Sequence, residues 1–400
     1  MRPASRVRLF CLIVVVFGGG LLAPPPAAAG PGSPLAGQTW SAATPNVPGA
    51  PITSLVGVTC VSAADCWAVG DRFESSSSDA GPGLIEHYLN GGWTTTAAAR
   101  AQAGTLDELS GVSCLSASDC WAVGMRSGSH PGNLLEHYFN GDWTAVSTPT
   151  PQGQLSAVAC EPASGECWAV GSSSNSSRAA TFRLVKGSWR YVRAAPLAAL
   201  FVQVSAVACA TADDCLLVGY ETPNHGVGQA LAERWNGREW SRVTVPGELA
   251  GGGSLAGVDC LPAGSSSTCW AVGQTAAKGL GLIAIHPLVD RWDGSSFVSV
   301  KSPPGSAGDY PELKAIACAA VSACQAVGSR GAGEDEARVL TEGWNGSSWT
   351  NETSPSPLYG FQELSGISCP SAKACWAVGE GLNHTGSGSR MIIEHFTASR

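Results

Sequence analysis

Cys114-Leu-Ser-Ala-Ser-Asp-Cys120-Trp-Ala-Val-Gly124 is the clearest copy of a unit that this chain repeats seven times. The other copies begin at Cys60, Cys160, Cys209, Cys260, Cys318 and Cys369, so successive first cysteines stand 54, 46, 49, 51, 58 and 51 residues apart. A period near 50 residues marks a repeat architecture, in which each unit buries its apolar face only by stacking on its neighbours.

Outward from that stretch, one repeat reads as four strands. Leu109 to Cys114 alternates large and small residues, and Cys120 to Gly124 makes a second strand. A Gly/Ser/Pro-rich loop runs from Met125 to Asn133, and Leu134 to Phe139 alternates apolar with polar as a third strand. Asn140-Gly141 is then a hairpin signal, because both residues tolerate positive φ, and Trp143 opens a fourth strand that Pro149 and Pro151 end. The hairpin recurs at Asn90-Gly91, Lys186-Gly187, Asn236-Gly237, Asp293-Gly294 and Asn345-Gly346. The expected fold is therefore all-β: a seven-bladed β-propeller of four-stranded antiparallel blades. All 14 tryptophans fit this register: five follow a second cysteine (Trp67, Trp121, Trp168, Trp270, Trp376) and the others sit at the ends of third strands or the starts of fourth strands.

The two chain ends test the register independently. The last repeat stops at Arg400 without a fourth strand, while Trp40-Ser-Ala-Ala-Thr-Pro45 resembles the fourth strand at Trp143. The N-terminal strand should pair into the last blade and close the ring, leaving no free edge between first and last blades. The first strands carry Gly57, Gly111, Ala157, Ala206, Gly257, Ala315 and Gly366 at one position, as expected where seven inner strands crowd one axis.

Arg2, Arg6 and Arg8, the apolar run Leu9 to Leu22 and the small residues Ala27 to Ala29 read as a secretory signal peptide over residues 1–29. Residues 30–37 are then a short flexible N-terminus and 38–400 the propeller. Three arginines and no acids leave with the signal, so the formal charge moves from −8 to −11. An acidic chain with scattered cations offers no footprint for nucleic acid or anionic membrane. No later segment has about 20 uninterrupted apolar residues, so the exported chain is expected to be extracellular, not membrane-embedded, and monomeric.

Fourteen cysteines form seven close pairs: Cys60/Cys66, Cys114/Cys120, Cys160/Cys167, Cys209/Cys215, Cys260/Cys269, Cys318/Cys324 and Cys369/Cys375. Zinc sites favour shorter spacings in groups of four ligands, so the pairs read as disulfides across hairpins rather than as metal or redox sites. No cofactor is expected. Asp65, Asp119, Glu166 and Asp214 precede second cysteines, but Thr268, Ala323 and Ala374 interrupt the ring; they read as turn acids bonding their own backbone. Glu86-His87, Glu136-His137 and Glu394-His395 look like acid/base dyads, yet the same slots hold Glu233-Arg234, Asp290-Arg291, Glu342-Gly343 and Phe182-Arg183, so they read as solvent-facing strand pairs. Asp259 and Lys314 are charges within the small inner strands, and neighbouring blades could bring them together near the central channel.

The third and fourth strands resemble kelch repeats: Arg234-Trp235-Asn236-Gly237-Arg238-Glu239-Trp240 and Arg291-Trp292-Asp293-Gly294 to Phe297 share the aromatic, the turn and the following aromatic. The kelch double glycine is replaced by Cys-Trp-Ala-Val-Gly. Over residues 38–400 the chain is similar to exported bacterial propellers built on this unit, a resemblance that implies a fold and no particular activity. It does not match galactose oxidase-like propellers, whose tyrosine–cysteine link would need a free cysteine, and it holds only the tail of the sialidase box, in Gly237-Arg-Glu-Trp240 and Gly346-Ser-Ser-Trp349.

The expected function is non-catalytic binding of an extracellular glycan, cell-envelope polymer or protein. The irregular loops between second and third strands share a face with the blade connections, so binding is expected there. They supply Arg72, Phe73, Arg126, His130, Tyr220 and His225 as candidates. A polysaccharide hydrolase or lyase is the alternative and would need two converging carboxylates from Glu74, Asp79, Glu221 and Glu334 to Glu336. A purely structural envelope protein is the third reading.

Overall fold

The computed structural model describes residues 38–43, 52–73, 81–99, 104–174, 178–197, 199–224, 226–246, 252–263, 266–279, 282–305, 309–331, 337–355, 360–382 and 389–398. Residues 1–29, read above as a signal peptide, residues 30–37 and His225 lie outside them, as does the Phe73 side chain.

The described chain begins with β1 (Gln38–Ala42). Blade one follows as β2 (Ile52–Ser62), β3 (Asp65–Phe73), β4 (Leu84–Leu89) and β5 (Gly92–Thr96), and blade two as β6 (Thr105–Ser116), β7 (Asp119–Gly128), β8 (Gly132–Phe139) and β9 (Asp142–Ala145). Blade three is β10 (Gly153–Glu161), β11 (Glu166–Ser173), β12 (Ala179–Val185) and β13 (Ser188–Tyr191), and blade four β14 (Ala199–Thr211), β15 (Asp214–Pro223), β16 (Gln229–Trp235) and β17 (Trp240–Arg242). Blade five is β18 (Gly253–Ala263), β19 (Ser266–Gly279), β20 (Leu282–Trp292) and β21 (Phe297–Ser299). Blade six is β22 (Glu312–Ala320), β23 (Ala323–Arg330), β24 (Arg338–Trp344) and β25 (Trp349–Asn351); blade seven has β26 (Gln362–Ser371), β27 (Ala374–Leu382) and β28 (Ser389–Ala398).

Each blade is an antiparallel meander, and the seventh is completed by β1 in the order β26-β27-β28-β1. Trp40 pairs with Phe396 across that junction, their rings 5.3 Å apart. The first strands contact one another in succession from β2 to β26, and β26 meets β2, so the seven blades form a ring.

The core lies between blades. Trp67, Val69 and Ile85 of blade one pack on Leu109, Val112, Leu134 and Trp143 of blade two, and Trp376, Val378 and Ile393 of blade seven pack on Leu55, Ala68 and Leu84 of blade one. Inner-strand crowding is real: a Cβ on Gly257 would lie 2.8 Å from the Ala315 Cα, and one on Gly366 would lie 2.8 Å from the Val56 carbonyl oxygen.

Every first strand carries a β-bulge, at Val56, Ser110, Ser156, Ser205, Ala256, Lys314 and Ser365. One extra residue there bends the strand and increases its twist. The glycine ending each Val-Gly pair faces the residue before the bulge. In blade two a Cβ on Gly124 would sit 1.9 Å from the Glu108 carbonyl oxygen, and the other six blades repeat the clash at 1.9–2.1 Å.

The hairpins between third and fourth strands fall into two kinds. Asn90-Gly91, Asn140-Gly141 and Lys186-Gly187 have positive φ at both residues, as two-residue turns require. In the other three the first residue is not left-handed. There the Asn236, Asp293 and Asn345 side-chain oxygens accept amide hydrogens two and three residues on, at 2.9–3.0 Å. These longer loops follow Trp235, Trp292 and Trp344, which pair directly with Trp240, Phe297 and Trp349.

Candidate functional site

The two faces of the ring are built differently. On the hairpin face, seven disulfides join first strands to second strands: Cys60–Cys66, Cys114–Cys120, Cys160–Cys167, Cys209–Cys215, Cys260–Cys269, Cys318–Cys324 and Cys369–Cys375. Disulfides in this number suit an oxidising or extracellular environment.

The acids before the second cysteines do not act as local turn acceptors. They reach the third strand: Asp65 Oδ1 lies 2.9 Å from His87 Nε2, Asp119 Oδ1 is 2.9 Å from His137 Nε2, Arg183 Nε donates to Glu166 at 2.9 Å, and Arg234 Nε donates to Asp214 at 2.8 Å. In blades one to three the held cation or imidazole then covers the blade's own tryptophan, while Arg234 lies over Trp292 of blade five. His87 stacks on Trp67 at 3.7 Å and His137 on Trp121 at 3.9 Å, while the Arg183 guanidinium lies 5.6 Å from the Trp168 centroid. Each tryptophan meets the aromatic corner of the next blade on its other side, as Trp67 meets Trp143 at 5.5 Å and Trp168 meets Trp240 at 4.9 Å. Where the acid is missing the cover persists in two blades, with His395 stacked on Trp376 at 4.1 Å and the Arg291 guanidinium 6.0 Å from the Trp270 centroid, and is lost in blade six, where Gly343 accompanies Ala323 and Gln325; burial lowers the His395 pKa.

The third-strand carboxylates do not face solvent. Glu86, Glu136, Glu233, Asp290, Glu342 and Glu394 are buried at the seams between blades. Glu136 accepts the Ala99 amide at 2.9 Å and Glu233 the Ala195 amide at 3.0 Å, each from the segment leaving the preceding blade. Glu342 and Glu394 take the Ser302 and Ser354 hydroxyls from the equivalent segments, at 2.8–3.0 Å. Glu86 accepts from Thr95 Oγ1 at 2.7 Å within its own blade. Burial pushes the carboxyls of Glu136, Glu233 and Glu342 up to about 7, against an ordinary 4.5. Glu136, Glu233, Glu342 and Glu394 are seam buckles, and the Glu-His dyads are neither dyads nor surface pairs.

Asp259 and Lys314 do not pair. Asp259 accepts its neighbour's amide, from Cys260 at 2.9 Å, and the Cys318 amide of the next blade at 2.6 Å, and burial pushes its carboxyl up to about 6. Ser113 and Ser368 make the same inter-blade bracket to the amides of Cys160 and Cys60, each at 3.0 Å. Lys314 sits nearer the loop face, 2.8 Å from Glu312 and 3.5 Å from Glu363. Burial alone would depress its ammonium, but the two carboxylates outweigh that and raise the pKa.

At the loop end of the seven inner strands, the residue two before the bulge-flanking small residue's own bulge neighbour is polar in every blade: Ser54, Glu108, Gln154, Gln203, Ser254, Glu312 and Glu363. Gln154 and Gln203 are exposed. Of the sequence-derived candidates on this face, Arg126 is committed to buried Asp107 through two bonds of 2.7 and 2.9 Å. Exposed His130 is 3.0 Å from Ser129 Oγ, Tyr220 accepts from Thr222 at 3.3 Å and packs against Gly228, and Arg72 is half-buried on β3. Of the carboxylates a hydrolase would need, Glu221 is buried and engaged with Gln229 and Arg242, and Glu74, Asp79 and Glu334 to Glu336 lie outside the described residues. The seam role of the third-strand acids was within reach of the sequence only through their recurrence, because their partners come from other blades.

The sequence matches no family model and no curated protein. Among solved structures, the chain is similar to YCF48 bound to D1 peptide, at 13% identity and TM-score 0.55 over 90% of this chain and 96% of that one. It is also similar to the WD40 β-propeller domain of Doa1, at 10% identity and TM-score 0.56 over 92% and 99% of the two chains. The fold is a seven-bladed β-propeller. At these identities the likeness extends to the fold and no further.

Proposed function

We propose that the chain is an exported, non-catalytic binding propeller, a monomer that holds an extracellular carbohydrate, cell-envelope polymer or protein on its loop face. The observation that supports this is where the repeat stops repeating. The hairpin face repeats the cystine in all seven blades and the tryptophan in five, whereas the loop end runs Ser54, Glu108, Gln154, Gln203, Ser254, Glu312 and Glu363, with Gln154 and Gln203 exposed. A rigid scaffold that varies at one end presents different groups to a partner there. Arg72, Phe73, Arg126, His130, Tyr220 and His225 are the candidate contacts, with Arg126 held by Asp107. In this proposal residues 1–29 direct export, and the third-to-fourth-strand hairpins follow the kelch pattern.

The test incubates purified, oxidised protein with insoluble polysaccharides and envelope fractions, measuring retained protein and released sugar together. Retention lost in a Tyr220→Ala/His130→Ala variant, and kept when hairpin-face Asp142 and Ser188 become Ala, is the expected result. Sugar release that survives repurification, or retention that depends on the hairpin face, would overturn the proposal.

A further inference from the structure

Blade three departs from the other six at linked positions. Its buckle slot holds Phe182 in place of an acid, and the residue opposite on the fourth strand is Tyr191. The other blades have Thr95, Ala145, Arg242, Ser299, Asn351 and Ala42 at that position. Tyr191 packs edge-on to buried Phe182 with centroids 5.9 Å apart, yet 42% of Tyr191 stays exposed. The exchange replaces a buried carboxyl by an anchored aromatic platform.

That ring lines a shallow pocket together with Arg178, Arg193, Pro196 and Leu197, on the connection to blade four. Arg178, Arg190 and Arg193 are exposed and form no ion pair among the described residues. On a chain of net charge −8 this is a local basic patch. Edge protection explains charged residues on an outer strand in general. It does not explain Arg178 and Arg193, which lie outside the outer strand, Arg178 just before β12 and Arg193 two residues beyond the end of β13.

We propose that the pocket binds one unit of an acidic polysaccharide, with the sugar ring face on Tyr191 and its carboxylate or sulfate on Arg178 and Arg193. An exposed aromatic face matches the apolar C–H face of a sugar, and a guanidinium fork matches a planar or tetrahedral oxyanion. An acidic peptide would satisfy the arginines but leave the tyrosine unused. The pocket lies on the same loop face as the binding function proposed above but on other residues; the proposal names a ligand class for that face and rests on that reading.

Affinity electrophoresis of the intact oxidised protein through gels containing polygalacturonate, dextran sulfate, neutral dextran or polyglutamate tests this. Retardation by polygalacturonate or dextran sulfate, and none by neutral dextran, is expected; which gel retards says whether carboxylate or sulfate is read. Arg178→Gln with Arg193→Gln, and separately Tyr191→Ala, should each weaken binding at least about tenfold, the loss of one good charge-assisted contact or more. Lys301→Gln, the blade-five counterpart of Arg193, should change nothing, and unchanged thermal midpoints would show that the variants fold. Equal retardation by polyglutamate that survives Tyr191→Ala would overturn the proposal in favour of an acidic peptide. No retardation by either acidic polysaccharide would also overturn it. Binding to neutral polymers or envelope proteins would then leave the wider function standing, and binding to nothing would end both.

Discussion

At Glu136, Glu233 and Glu342 the folded chain holds carboxyls that titrate at about 7, whereas the same groups in the unfolded chain titrate near 4.5. Between those values the native state binds more protons than the unfolded state. The stabilisation is therefore complete below about pH 4.5 and is lost as pH rises through about 7. The thermal midpoint at fixed salt is expected to fall between about pH 5 and about pH 8, and the triple Glu→Gln variant should flatten that slope; a midpoint that climbs over the interval would refute the assignment. A second residue-scale test concerns backbone approach. Gly273→Ala would put a Cβ 2.0 Å from the Ser254 carbonyl oxygen, so a loss of about 2–3 kcal/mol in urea titration is expected, while Gly92→Ala meets nothing within 4 Å and should be close to neutral. Sequence exposed both sets of residues by their recurrence. It could not assign the acids their work, since Ala99, Ala195, Ser302 and Ser354 reach them only after blades dock.

Elements were legible where spacing is local. Asn140-Gly-Asp-Trp143 and Asn236-Gly-Arg-Glu-Trp240 differ by one residue, and that residue separates the two-residue turn from the longer loop capped by its asparagine side chain. The bulges were not legible, because Leu109-Ser-Gly-Val alternates like an unbroken strand until it is paired with Val123-Gly124. Short cystine loops are each expected to contribute about 2 kcal/mol, so Cys114→Ser with Cys120→Ser should lower unfolding free energy by that amount without changing the fold. Trp67→Ala should cost more, about 3–5 kcal/mol, because it opens the seam between blades one and two rather than freeing a loop. Ordering of these two variants in one denaturation series distinguishes cross-links from seams as the main support.

Over the whole molecule, the closure of the ring was the inference best supported by sequence, since a missing fourth strand at one end matched a spare one at the other. Trp40 does more than fill a slot: its indole Nε1 donates to Glu352 of blade six at 2.8 Å, and the ring packs on Phe396. Removing residues 38–43 should uncover the edge of β28 and leave half-buried Glu352 without that donor. The shortened protein is expected to associate through the bared edge, seen as a rise in mass by light scattering. A strictly monomeric product of unchanged stability would mean that the seventh blade stands on three strands.

Because the two halves of that clasp, β1 and β28, lie at opposite ends of the chain, the circle has a fixed order of assembly in time. Six blades can complete their four strands on their own, but the first strand must wait for the last. Until then Trp40 has no Phe396 to rest on, and the protein is an open arc in which β1 and the edge of β28 still lack their partners.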